Sequence, residues 1–173
     1  MLFKWLTGQV DNEATRATAS DELRQLVQTQ MPRASEADAA IVASVAGLLA
    51  FVAYADRKYG DEEQQAVREA LGRVHGLPES ASEAVSSLLV ARVAELAHES
   101  LPTYTRVLYE LTERPARLEL FEALMDVAVA DHLLSMDETN ALRRIASLLG
   151  LSEQDYLASQ SRHRDRLSVL TGG

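Results

Sequence analysis

The 173-residue sequence contains no cysteine. Disulfide bonds, thiolate metal sites and cysteine nucleophiles are therefore excluded, and the absence is compatible with a reducing cytoplasm. Aromatic residues make up only 5% of the chain, against 47% for hydrophobic residues as a whole. Alanine, leucine and valine supply most of the apolar residues, and alanine and leucine are strong helix formers. Because no long segment alternates polar and apolar residues with a period of two, we expect an all-α fold.

Positive charge is also scarce, since the chain has 17 Lys and Arg residues and 26 Asp and Glu residues, which gives a net charge of −9. Such a chain is repelled by nucleic acid and by anionic membranes. We therefore expect no nucleic-acid partner and at most peripheral contact with a membrane. The sequence has no secretory h-region at its N-terminus, and it lacks the His-Glu-x-x-His, Gly-rich phosphate-loop and Gly-x-Ser-x-Gly motifs. These absences favour a cytoplasmic protein that is not an enzyme.

The chain divides into two parts. Residues 1–18 form a short apolar tip followed by a polar linker. In the tip, Phe3 and Trp5 are candidate partner-binding residues. Residues 19–173 are predicted to be one helical domain. Within it, residues 39–55 carry no charge, which is near the minimum length for a membrane-spanning helix. Their alanine, serine and glycine content and their acidic flanks instead favour a helix buried at the centre of a bundle.

Helix start and stop signals predict a bundle of seven to eight helices joined by short loops. The expected caps or first residues are, in chain order, Ser20, Ser35, Asp61, Ser80, Pro102, Pro115, Ser135 and Ser152. Four of these are serines followed three residues later by Asp or Glu, which is the capping-box pattern. The second helix is expected to end near Asp56 and the third near His75.

One helix–loop–helix unit occurs twice. The pentapeptide Val-Ala-x-Ala-Asp stands at residues 52–56 and again at 127–131, 75 residues later. Seven residues after each Asp comes a Glu, at Glu63 and Glu138, and an apolar helix follows in both copies. We therefore expect a bundle with a pseudo-twofold internal repeat.

These motifs resemble the tellurite-resistance TerB family and its TerB-like relatives. The family pattern has Ala-Asp-Gly, a few residues, a Glu, and a helix that ends in Leu-Gly-Leu-Ser. The chain has Ala-Asp at 130–131, Ser-Met-Asp-Glu at 135–138 and Leu-Gly-Leu-Ser-Glu at 149–153. The first copy has Ala-Asp at 55–56, Gly-Asp-Glu-Glu at 60–63 and Gly-Leu at 76–77. The resemblance covers about residues 36–170.

The resemblance implies an all-α fold and a role in the response to tellurite and other oxyanions. It also implies that acidic loop residues bind a divalent cation. The chain departs from the family pattern at one position of each copy, where Arg57 and His132 replace the glycine after Asp. Glycine suits a left-handed backbone conformation better than either residue.

The candidate metal-binding residues are the acidic residues of the two loops and of the helix starts after them: Asp56, Asp61, Glu63, Asp131, Asp137 and Glu138. Carboxylates suit hard cations such as Ca²⁺ or Mg²⁺, although the spacing is not that of an EF-hand. The alternative is structural, because acidic residues also cap helices, favour the first helical turn and hydrogen-bond loop amides. The sequence leaves both interpretations open.

Histidine and arginine residues give weaker signals. Glu95 and His98 match half of a helical di-iron motif, but the second half is missing, so His98 is expected at the surface. An enzyme that uses Asp131, His132 and Glu138 is a remote alternative. A basic patch near the C-terminus, made of Arg162, His163, Arg164 and Arg166, is expected to pair with acidic groups of the same chain or to interact favourably with the C-terminal end of its helix.

The preferred hypothesis is a non-enzymatic helical module that binds a protein partner, a divalent cation, or both, in a stress response. A scaffold or interaction domain without a metal is the main alternative. The partner is unidentified, and self-association into a homo-oligomer stays open.

Overall fold

The computed structural model describes residues 18–74, 76–98, 101–130 and 134–171, with side chains as far as His163. Within that part of the chain there are eight α-helices and no strand. The helices are α1 (Ala19–Gln30), α2 (Glu36–Ala53), α3 (Asp61–Gly72), α4 (Glu79–His98), α5 (Leu101–Leu111), α6 (Arg114–Ala128), α7 (Met136–Leu148) and α8 (Glu153–Thr171). The predicted all-α bundle of seven to eight helices is confirmed.

Helix α2 is the centre of the bundle and packs against α1, α3, α4, α5, α6 and α7. Twelve of its eighteen residues are buried, as expected for an uncharged helix enclosed by neighbours. By length and composition α2 also meets the criteria for a membrane-spanning helix, but 67% of it is buried inside the bundle. The core helix of a bundle meets the same criteria.

Helix α5 approaches α2 closely because α2 carries a glycine at the contact. A Cβ atom at Gly47 would lie 2.5 Å from Cζ of Tyr104 in α5. The missing side chain therefore makes room for the phenol ring, which is buried between the two helices.

Three of the predicted caps form as expected. Ser35 and Ser135 make capping boxes at the starts of α2 and α7, and Ser152 exchanges the same hydrogen bonds with Asp155 at the start of α8. Each cap satisfies backbone N–H groups that have no partner within the helix. Pro115 lies in the first turn of α6, as predicted.

The capping box predicted at Ser80 is wrong. The backbone N–H of Ser82 donates to the carbonyl of Pro78 at 2.9 Å, so Pro78 accepts the first helical hydrogen bond and Ser80 lies inside the first turn of α4. The first helix also starts before its predicted residue, because Thr18 rather than Ser20 forms the cap. Helices α2 and α3 end at Ala53 and Gly72, about three residues earlier than expected.

The ends of α2 and α6 have the same local geometry. The C-cap residues Tyr54 and Val129 have φ/ψ angles of −109°/13° and −102°/11°. The following helices begin after the N-cap residues Gly60 and Ser135, at the same spacing. The pseudo-twofold repeat of the whole bundle stays a prediction.

Candidate functional site

The first acidic loop, residues 54–60, connects α2 to α3. Its Asp56 carboxylate accepts a hydrogen bond of 2.8 Å from the backbone N–H of Lys58 and lies 3.9 Å from the Lys58 ammonium group. Asp56 therefore stabilises the loop in the way that Asp side chains stabilise many turns. Between these two residues, Arg57 has a φ of 66°, in the left-handed region that favours glycine. The family's glycine position is thus left-handed here, and it is occupied by arginine.

Glu63 occupies the third position of α3 and is only 7% exposed. Its Oε2 atom is buried and has no hydrogen-bond partner among the described residues. The N-cap residue, Gly60, has no side chain with which to form a capping box, and a Cβ at this position would lie 2.9 Å from Glu63 Oε2. The neighbouring Asp61 is exposed. The loop therefore ends in a buried carboxylate oxygen that lacks a donor.

The second acidic loop, residues 129–135, places its glutamate at the same helical position but uses it differently. Glu138 is 5% exposed, and its Oε2 accepts a 2.8 Å hydrogen bond from the Ser135 backbone N–H. The Ser135 hydroxyl accepts in return from the Glu138 N–H at 3.1 Å. This glutamate acts as a helix cap, which was the structural alternative for it.

The predicted metal-binding residues that the structure describes are not gathered into one cluster. Among the described residues, no three His, Cys, Asp or Glu side chains lie close enough together to hold a metal ion. Asp61 lines a shallow groove with Glu69 and Arg73, whereas Asp137 lines a separate cleft with Arg57. Four other predicted residues lie outside the described residues: Phe3, Trp5, Asp131 and His132.

The Glu95/His98 pair does not form half of a di-iron site. Both oxygens of Glu95 accept hydrogen bonds from Arg92, and the Nδ1 of His98 contacts the Ala94 carbonyl of its own helix. His98 is exposed, as predicted.

An apolar groove lies between the α1–α2 and α3–α4 connections, with a volume of about 530 Å³. Its apolar walls are formed by Met31, Pro32, Ala34, Ile41, Val42, Val74 and Pro78. Gln30, Arg33 and Asp38 lie at its polar edge. The groove is lined by residues that are distant in sequence, and no sequence motif predicts it.

A buried ion network joins α8 to α6. The His163 side chain is 3% exposed, and its Nε2 lies 3.0 Å from Asp126 Oδ1. Its Nδ1 lies 2.8 Å from the Ser159 carbonyl oxygen. Arg162 and the Ser159 hydroxyl both donate to Glu122 of α6. The prediction that Arg162 and His163 pair within the chain is confirmed.

The charges of this network shift the pKa values of its members. Burial alone would lower the pKa of His163, but its hydrogen bonds to Asp126 and to the Ser159 carbonyl outweigh burial and raise that pKa above the ordinary value. The hydrogen bond from His163, assisted by Arg73, lowers the pKa of Asp126. For Glu122, burial is outweighed by hydrogen bonds from Arg162 and Ser159, so its pKa is also lowered.

The fold and the site define the class of protein. It is an all-helical domain with two acidic helix–loop–helix units, each with a buried glutamate at the third position of its second helix. Comparison with protein families gives a match to the tellurite resistance protein TerB over residues 41–160. The chain therefore belongs to the TerB family. Comparisons with curated proteins and with solved structures found no match.

Proposed function

We propose that the chain is a non-enzymatic cytoplasmic TerB module that binds a divalent cation weakly at its first acidic loop, as part of a response to tellurite or related oxyanions. The observation that supports the cation is the Oε2 atom of Glu63, which is buried and has no hydrogen-bond partner in the part of the chain that the structure describes. Family membership supports the link to tellurite resistance.

A buried carboxylate oxygen without a donor is unfavourable, since it has lost its water and gained nothing in exchange. A cation such as Ca²⁺ or Mg²⁺ would satisfy this oxygen, and carbonyl and water oxygens commonly complete such sites. Glu63 would be the ligand held by the fold, with Glu62, Asp61 and Asp56 as the nearest acidic residues in sequence.

The proposed binding is expected to be weak because the site offers few charged ligands. Affinity for Ca²⁺ rises with the number of charged ligands and the rigidity of the site, and the described residues contain no group of three metal-binding side chains. The second loop is the poorer candidate, because the Glu138 carboxylate already accepts the Ser135 N–H.

Calorimetric titration with Ca²⁺ and Mg²⁺ tests this proposal. We expect heat of binding and a rise in Tm at millimolar cation for the wild type, and neither for Glu63→Gln. Glu83→Gln is the matched control, since Glu83 is exposed on α4 rather than on α3 and its substitution removes the same charge; it should bind like the wild type. A wild type without heat or thermal shift at millimolar cation would refute the proposal and favour a scaffold without metal.

A protein partner is the second candidate function, and the apolar groove favours it. Its walls bring Met31, Ile41 and Val74 together at the surface, and apolar surface of this kind is typical of interaction sites. Pull-down experiments with the full chain test it. Met31→Lys should lose a partner that Leu157→Lys keeps, since Leu157 is an exposed leucine outside the groove. A partner that survives Met31→Lys does not bind in the groove.

A further inference from the structure

A second cleft, of about 380 Å³, lies where the ends of α2 and α4 meet the first half of α7. We name it the arginine cleft. It is lined by Phe51, Tyr54, Ala55, Arg57, Ala97, His98, Asp137, Asn140, Ala141 and Arg144. Its volume is within the range of small-molecule sites. The proposed cation site at Glu63 is not part of it.

The two guanidinium groups of this cleft have no partner. Neither Arg57 nor Arg144 has an ion pair or a side-chain hydrogen bond in the described part of the chain. Other arginines are paired: Arg92 binds Glu22 and Glu95. In a chain with nine more acidic than basic charges, two unpaired guanidinium groups on one cleft are a concentration of positive charge against the overall balance.

The remaining polar groups of the cleft leave it electropositive. Asp137 is the one carboxylate among the described residues that line it, and the two guanidinium groups outnumber it. The Nδ1 of His98 contacts the Ala94 carbonyl, which leaves the Nε2 atom for a ligand. Asn140 adds an amide that can donate or accept.

The backbone of Arg57 strengthens the argument. With a φ of 66°, this position would be relaxed with glycine and is strained with any β-carbon. Arginine is therefore present at a conformational cost, and what it adds over glycine is a guanidinium group at the cleft.

The aromatic side chains indicate what the ligand carries besides the group that the arginines bind. Phe51 lies in the last turn of α2 and Tyr54 is the C-cap residue of that helix. With Ala97 and Ala141 they give the cleft an apolar wall. Guanidinium groups bind phosphate through paired N–H donors, and aromatic walls suit an apolar or planar group. We propose that the arginine cleft binds a small organic phosphate, with Arg57 and Arg144 holding the phosphate and Phe51 and Tyr54 contacting its organic part.

Titration of the full chain with phenyl phosphate, followed by two-dimensional NMR and calorimetry, tests the proposal. We expect shifts at residues of the cleft and an affinity that falls as salt is raised, because salt screens charge pairs. Arg57→Gln and Arg144→Gln should each weaken binding by about tenfold or more, as expected for the loss of a charge-assisted hydrogen bond.

Arg33→Gln is the matched control. Arg33 also lacks a partner among the described residues but lines the apolar groove, so its substitution should leave the affinity unchanged. Equal losses for Arg33→Gln and Arg57→Gln would mean general charge attraction and would overturn the proposal. Absence of binding by the wild type overturns it too, and so does an affinity for inorganic phosphate equal to that for phenyl phosphate. Both cleft arginines are exposed, so the variants should fold, which a thermal melt verifies.

Discussion

The His163 ring lies between two acceptors, which predicts a stability that depends on pH. Its Nδ1 lies 2.8 Å from the Ser159 carbonyl oxygen and its Nε2 lies 3.0 Å from Asp126 Oδ1. A neutral imidazole has a single N–H and cannot donate to both. The folded protein is therefore expected to hold His163 as imidazolium, and deprotonation should remove one of the two hydrogen bonds.

Charged groups from two helices and from the end of a third face this ring. Helix α6 contributes Asp126 and Glu122, and α8 contributes Arg162, which binds Glu122. Arg73, the C-cap residue of α3, binds Asp126 at 3.1 Å. The two arginines partly offset the carboxylates, but the pKa of His163 is still raised.

The sign of the pH effect follows from this direction. A histidine whose pKa is raised by folding stabilises the protein fully below its unfolded pKa of about 6.5, and the stabilisation is lost as pH rises through the folded pKa. Asp126 acts at the opposite end: its pKa is lowered, so its contribution is lost as pH falls through that lowered value. The His163 contribution should therefore be lost as pH rises above about 6.5 and through the raised folded pKa.

The expected magnitude is about 1–2 kcal/mol. A hydrogen bond to a charged group contributes about 1.5–3 kcal/mol, and the value is reduced here because the Asp126 side chain is 24% exposed. Urea denaturation followed by far-UV circular dichroism at pH values from 6 to 9 should show this loss in the wild type. His163→Gln should be less stable at pH 6 and should lack the slope, whereas His98→Gln should keep it. A wild type with constant stability over this range, or an unchanged slope in His163→Gln, would refute the reasoning.

Three further substitutions test the local geometry, each by urea denaturation. Gly47→Ala should destabilise the protein by about 1–3 kcal/mol, the usual effect of overpacking, because its β-carbon would lie 2.5 Å from Tyr104; an unchanged midpoint would contradict that contact. Arg57→Gly should stabilise by about 1 kcal/mol because it relieves the left-handed strain; a loss of stability would show that the side chain contributes to folding. Ser135→Ala should cost about 1 kcal/mol by removing the acceptor for the Glu138 N–H, and Ser135→Thr is the control that should keep most of it.

The features predicted from sequence are local ones. The caps of α2, α7 and α8 depend on residues three positions apart, so the capping pattern alone was enough. The prediction failed at Ser80 because the preceding Pro78 accepts the first helical hydrogen bond. A capping pattern does not identify which of two nearby residues, here Pro78 and Ser80, begins the helix.

The ion network of α8 could be predicted only in part. A basic stretch in an acidic chain implies internal pairing, but not its partners. Asp126 is 37 residues from His163 and 53 from Arg73, and only the packing of α3, α6 and α8 brings them together. A usable signal was nevertheless present, since Glu122 and Asp126 lie four residues apart in α6 and share one helical face.

The two acidic loops separate their flanking helices by the same number of residues, but the N-cap residues that end them differ. At the N-cap of α7, Ser135 and Glu138 exchange hydrogen bonds and complete a capping box. At the N-cap of α3, Gly60 has no hydroxyl to accept the Glu63 N–H, so a two-way cap cannot form. Its backbone N–H does not donate to Glu63 Oε2 either, and this buried oxygen has no hydrogen-bond donor among the described residues. By their spacing in the sequence the two glutamates are equivalent. Spacing gives the position of each carboxylate but does not take into account the identity of the N-cap residue three positions before it. Where the cap is complete, a ligand would have to displace it; where it is absent, a ligand would supply the missing interaction. That difference makes the first loop the better candidate for function.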